Sequence, residues 1–214
     1  MKYFAVIGDI HGCGKTLKLL LKKLSDKKII GGIEEIYCVG DLIDRGPNTS
    51  LVMDLVEKHN IKTVLGNHEW LCMTGQKKSD PNYENWRSNG AAKTIKSAKK
   101  NQLEKWCTAF KSYPLYLCIN DVLICHAGIK KGFTIDEACI ALESSDTNTL
   151  LNSILWNRHE IYLPGFYIIS GHSPKKKPLL TEHFCNIDTG CVYKHFLTAI
   201  IMPSKQIIQV PYAD

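Results

Sequence analysis

With 214 residues, 44% of them hydrophobic and 22% charged, the chain can bury a core of its own, which excludes a disordered or fibrous protein. The net charge of +6 is too small to argue for nucleic-acid binding, and no apolar run approaches the ~20 residues that a bilayer crossing needs. The opening MKYFAVIGD breaks at Gly8 and Asp9, too early for a secretory segment, and none of the nine cysteines forms a CxxC pair. A cytoplasmic protein with reduced thiols is expected.

The first third of the chain alternates strand and helix. Tyr3 to Gly8 reads as a buried strand. Gly14 to Lys23 carries Leu17, Leu20 and Leu21, with Leu24 just beyond, and reads as an amphipathic helix. Ile36 to Val39 is the second strand, Ser50 to His59 the second helix and Thr63 to Leu65 the third strand, a series that predicts a mainly parallel sheet. The polar, lysine-rich stretch 70–112 predicts a helical insertion lying over that sheet. Leu115 to Ile119 and Val122 to Cys125 then read as strands joined by an Asn120-Asp121 turn. A helical region follows over Ile135 to Trp156, and strands return at Tyr167 to Ser170, Phe184 to Ile187, Phe196 to Met202 and Gln206 to Val210. The expected fold class is therefore α/β: a single domain over 1–214, with two sheets face to face and helices outside.

Each early strand ends alike: VIGDIHG with Asp9 and His11, CVGDLIDRG with Asp41, Asp44 and Arg45, VLGNHE with Asn67, His68 and Glu69. In a parallel sheet such carboxyl ends lie side by side, where ligands bind. Two later strands end in LICHAG, with His126, and IISGHS, with His172. Each residue alone has an ordinary reading: Asp41 could cap a helix, and His126 could be a hydrogen-bonded core histidine. Together they are five strand ends presenting Asp, Asn or His, and converging buried groups of this kind call for a cation between them. Oxygen and nitrogen ligands without thiolate suit Mn, Fe or Zn. The Lys175–Lys177 run and the Lys96, Lys99 and Lys100 group read as solvated surface.

The ordered series GDIHG, GDLIDRG, GNHE, HAG and GHS resembles the calcineurin-like metallophosphoesterase superfamily. Its DRG form, with LWNRHE, GHSPKKKPL and NIDTGCV, is similar to the bacterial and phage branch of the phosphoprotein phosphatase family. That resemblance implies the two-sheet metallophosphoesterase fold and two divalent cations, Mn2+ foremost, with Fe or Zn fitting the same ligands. Asp9 and His11 would hold one cation, Asn67, His126 and His172 the other, and Asp41 both. Arg45 and Arg158 would clamp the phosphoryl oxygens with help from Asn67. His68 would be the general acid, oriented by Asp44, and a hydroxide shared by the cations the nucleophile. The implied activity is hydrolysis of phosphoserine or phosphothreonine, extending to phosphotyrosine, in a protein or peptide, by a monomer. The alternative is a symmetrical dinucleoside polyphosphate hydrolase, disfavoured because such relatives tend to be longer. A nuclease has no need of Arg45, since a diester carries one charge less. A catalytically dead binding module would be missing a ligand or acid position, and none is missing.

Overall fold

The computed structural model describes residues 3–26, 32–144 and 146–214. Among the described residues, ten strands form two five-stranded sheets. The first has the order β10-β9-β1-β2-β3, built from β1 (Tyr3–Ile7), β2 (Ile33–Cys38), β3 (Lys62–Thr63), β9 (Phe196–Met202) and β10 (Gln206–Pro211). The second has the order β4-β5-β6-β8-β7, from β4 (Tyr116–Ile119), β5 (Val122–Cys125), β6 (Tyr167–Ser170), β7 (Leu179–Leu180) and β8 (Phe184–Asn186).

Period-two alternation explains the stacking of layers. Along β1, Phe4 and Val6 join Tyr37, Val39, Ile124 and Ile169 in an apolar layer drawn from both sheets. Ala5 and Ile7 point the other way, into a core shared with helix α1 (Gly14–Leu24) and helix α2 (Thr49–Lys58). Leu17, Leu20, Leu21 and Leu24 of α1 are all buried there, each contributing ~1.5–3 kcal/mol relative to exposure. The two-sheet sandwich expected from the sequence is present.

Three details differ. The first sheet is parallel only across β1, β2 and β3, because β9 and β10 return to it antiparallel. β3 stops at Thr63 since the Leu65 N–H turns away to the Pro114 carbonyl, 2.8 Å distant. The stretch 135–156 is not one helical region but two short helices, α7 (Ile135–Ile140) and α8 (Thr147–Leu150), with a 3-10 turn between them. Here local side chains compete with the helix: the Asp146 carboxylate accepts the Asn148 and Thr149 N–H groups and starts α8 afresh. The segment expected to be helical, 70–112, holds most of α3 (Asn67–Thr74), then α4 (Tyr83–Ser88), α5 (Ala91–Ser97) and α6 (Gln102–Phe110).

Candidate active site

The loops after β1, β2, β3, β5 and β6 meet at one end of the sandwich. Asp41 lies at the centre. Its Oδ2 is 3.4 Å from His11 Nε2 and its Oδ1 is 3.4 Å from His126 Nε2. Among the described residues, two overlapping groups have spacing that could hold a cation: His11, Asp41 and His68, and Asp41, His126 and His172. All of these residues are buried.

The imidazoles are aimed by their second nitrogens. His11 Nδ1 donates to the Ile43 carbonyl at 2.9 Å, and His126 Nδ1 to the Val39 carbonyl at 2.8 Å. Each Nε2 is thereby left with a lone pair facing Asp41, the tautomer a metal ligand needs. His126 Nε2, His172 Nδ1 and Asn67 Oδ1 stand within 2.9–3.2 Å of one another. Three such converging acceptors suit a cation, and on this ground the residues fit the expected second metal. His172 Nε2 is buried with no partner among the described residues.

Burial pushes the His11 pKa down to about 3, and burial lowers His126 and His172 as well, so all three stay neutral near pH 7. Burial opposes ionisation of Asp41, but the surrounding imidazoles hold its carboxyl well below the usual range, helped by the His68 backbone N–H 3.1 Å from Oδ1. Asp9 stands apart from the two ligand groups. Its carboxylate accepts the His172 N–H at 3.1 and 3.2 Å and packs against Gly171, where any Cβ would collide with Oδ1. Burial, then Asp188 and Asp41, push its pKa well up; a divalent cation would reverse that.

Beside this centre, His68 Nδ1 lies 2.8 Å from Asp44 Oδ2, and its buried Nε2 has no partner among the described residues. Arg45 Nη1 donates to His11 Nε2 at 3.0 Å, and Arg45 is partly buried. Arg158 is exposed and reaches Ser173 Oγ, next to His172, at 3.3 Å. All ten residues expected in the site therefore belong to this end of the molecule, with Arg158 at its rim. His11, Asp41, Asp44, Arg45 and His172 all have left-handed backbone, with φ between 47° and 68°. Such conformations persist at functional sites when their surroundings hold them.

Those surroundings include residues that sequence reading did not assign. Trp86 Nε1 donates to Asp44 Oδ2 at 3.0 Å, and Thr94 Oγ1 donates to Oδ1 at 2.7 Å. Both come from the helical segment, 42 and 50 residues away, and no local signal marks them. Gly90, at φ 106°, lets the same segment touch the Arg45 backbone. Glu69, named above only as part of a strand end, has a structural task. Its carboxylate accepts the N–H groups of Asp41, Leu42, Ile43 and Gly66 at 2.8–3.3 Å, and so shapes the loop that presents Asp41. Asp188 follows β8 and neighbours a buried cluster of acids. Burial, then Asp41, push its pKa up to about 6 against the pull of the Gly190 N–H. It too ends an apolar run near a glycine, a signal the sequence did contain.

Over residues 2–195 the chain matches the family described as calcineurin-like phosphoesterase. The chain belongs to this family. Among curated proteins, the phosphoesterase is 30% identical to the asymmetrical bis(5'-nucleosyl)-tetraphosphatase PrpE of Oceanobacillus iheyensis, over 96% of this chain and 90% of that one. It is 28% identical to the PrpE of Bacillus cereus (strain Q1), over 99% and 94%. Its fold is similar to a protein provisionally assigned as a diadenosine tetraphosphatase, with TM-score 0.71 and 22% identity over 100% of this chain and 95% of that one. It is also similar to a cold-active protein-tyrosine phosphatase of a Shewanella species, with TM-score 0.65 and 19% identity over 99% and 78%. Identities this low speak to the fold alone. Two expectations are corrected. Chain length does not count against a dinucleoside polyphosphate hydrolase, since these relatives are covered almost entirely. The relatives are also named as asymmetrical, where the alternative was framed as symmetrical. They favour that alternative over the phosphoprotein phosphatase first expected.

Proposed function

We propose that this phosphoesterase hydrolyses dinucleoside polyphosphates, splitting a bis(5'-nucleosyl) tetraphosphate unequally into a nucleoside triphosphate and a nucleoside monophosphate. The observation that carries this reading is the near end-to-end match to asymmetrical bis(5'-nucleosyl)-tetraphosphatases at 28–30% identity. Asp9 and His11 would hold one cation, Asn67, His126 and His172 a second, and Asp41 both, with Mn2+ the proposed ion and Fe or Zn the alternatives. When bound, the cations would supply an activated water and offset charge on the attacked phosphoryl group.

The remaining chemistry falls to side chains. Arg45, beside His11, and Arg158, bonded to Ser173, would orient the phosphoryl oxygens through planar donor forks. His68 would protonate the departing oxygen through Nε2. Asp44 fixes the ring by taking Nδ1–H, and Trp86 and Thr94 hold Asp44 still. Burial of this dyad excludes water from the proton being transferred.

A second reading, a phosphoserine, phosphothreonine or phosphotyrosine phosphatase, is supported by the same dyad. An alkoxide is a poor leaving group, and a braced imidazolium is the device that protonates it. Assays in parallel on diadenosine tetraphosphate and on phosphopeptides, with Mn2+ and chromatographic analysis of products, separate the readings. ATP plus AMP supports the first. Two equivalents of ADP would refute the unequal cut, and turnover of phosphopeptides alone would leave the second reading standing.

A further inference from the structure

Asn157 sits between Trp156 and Arg158 and is only 2% exposed. Its Oδ1 accepts the His159 backbone N–H at 3.0 Å. This fixes the amide, because the flipped form would set two donors against each other. The other end of the amide, Nδ2, is buried and has no hydrogen-bond partner among the described residues. A buried donor left in this state calls for an explanation, since it has given up its bonds to water without replacing them.

Its surroundings suggest what it donates to. The Asn157 segment is tied to the metal-facing strands: the Ala127 N–H, next to His126, donates to the Ile154 carbonyl at 2.9 Å. The neighbouring Arg158 reaches Ser173, next to His172. Trp156 packs edge-to-face on Trp70 of α3, with ring centroids 5.0 Å apart, and α3 begins at Asn67 and His68. The segment is thus held against both β5 and α3, and Asn157 is the buried member of the pair whose exposed member is Arg158.

We propose that Asn157 is a further substrate-contacting residue, its Nδ2–H donating to an anionic phosphoryl oxygen held by Arg158. It would supply a buried, uncharged donor beside an exposed, charged one. This rests on phosphoester hydrolysis at the site and not on which phosphorylated substrate is natural. The test therefore uses p-nitrophenyl phosphate as substrate and inorganic phosphate as competitor, and it stands even if dinucleotides prove not to be hydrolysed.

Two variants divide a substrate role from a structural one. Asn157→Asp keeps the shape and the acceptor for the His159 N–H, but replaces the donor by a negative oxygen. Asn157→Ala removes both. If Asn157 contacts phosphate, N157D raises KM for p-nitrophenyl phosphate and Ki for phosphate by at least ~10-fold, more than N157A does, with bound metal unchanged. If Asn157 only holds its loop, N157D keeps wild-type KM and Ki while N157A loses both, and the proposal fails. Loss of metal from N157D would also overturn it. Should N157D not fold, N157A decides: raised KM and Ki at unchanged Tm support the contact, and unchanged values refute it.

Discussion

Asp44 Oδ2 accepts two donors at once, His68 Nδ1 at 2.8 Å and Trp86 Nε1 at 3.0 Å. One oxygen thus joins the proposed proton donor to the helical segment that covers it. The carboxylate cannot rotate without breaking the contact to Trp86, so the ring it steers is held as well.

Replacing His68 by Asn should lower kcat by ~10²–10⁴-fold. The loss should be greater on a phosphoserine peptide than on diadenosine tetraphosphate, whose nucleotide leaving group needs a proton less. Bound metal, measured by atomic spectroscopy, should stay constant. His68 also lies within ligand spacing of His11 and Asp41, so loss of a metal ion would reassign it from acid to ligand.

Thr94→Val keeps the shape but removes the hydroxyl that donates to Asp44 Oδ1 and accepts the Asp44 N–H at 2.8 Å. Leaving both groups buried and unpaired should cost about 1–3 kcal/mol in urea unfolding. A fall in kcat should accompany it even though Thr94 touches no substrate. Full activity in a destabilised variant would show that the brace matters only to folding.

The metal-free protein should lose stability as pH rises from about 6.5 to 8. Burial, then the Asp41 charge, raise the Glu69 pKa from 4.5 to about 8. Between those values the folded state keeps a proton that the unfolded state releases, so stability falls with rising pH. The buried imidazoles of His11, His126 and His172, lowered from 6.5, act in the opposite sense but only below that pH. Asp188, at about 6, has largely titrated by then, and Asp9 acts in the same direction as Glu69. The expected loss is about 1–2 kcal/mol. Thermal melts of Glu69→Gln should show a flatter profile, and saturating Mn2+ should flatten the wild type.

Gly171→Ala should displace the Asp9 carboxylate, because the new methyl would overlap Oδ1 and press on Val39. Metal affinity, followed by titration with Mn2+, should weaken by at least ~10-fold while the sheets stay folded. Unchanged affinity would argue against Asp9 as a ligand.

The sequence revealed the sandwich and the chemistry at the strand ends because both follow local rules. Apolar runs ending in Gly-Asp or Gly-His can be read within six or seven letters. Trp86, Thr94 and the full work of Glu69 could not be read that way. Their meaning depends on long-range contacts, and α4 and α5 look like ordinary polar helices until Asp44 is placed beneath them. The break at Asp146 was local and legible: an acidic residue followed by Thr-Asn-Thr restarts a helix, which should have argued against one continuous helical region. Substrate choice was not legible for another reason. A guanidinium in the place of Arg45 would suit a terminal or bridging phosphoryl group alike, so the DRG motif does not distinguish a phosphopeptide from a polyphosphate chain.

The left-handed backbone at Asp41, Asp44 and Arg45 has a consequence for how this protein could change. Each such residue carries a strain of order 1 kcal/mol that glycine would relieve. At Arg45, which is partly exposed, the exchange would lose the bond to His11 and a positive charge facing the buried Asp9 and Asp188. Glycine there would trade backbone strain against those contacts and its own entropy cost while removing the proposed phosphate clamp, so stability and activity need not move together. A directed-evolution screen on this scaffold needs an activity gate at every round, or it will enrich well-folded, silent variants.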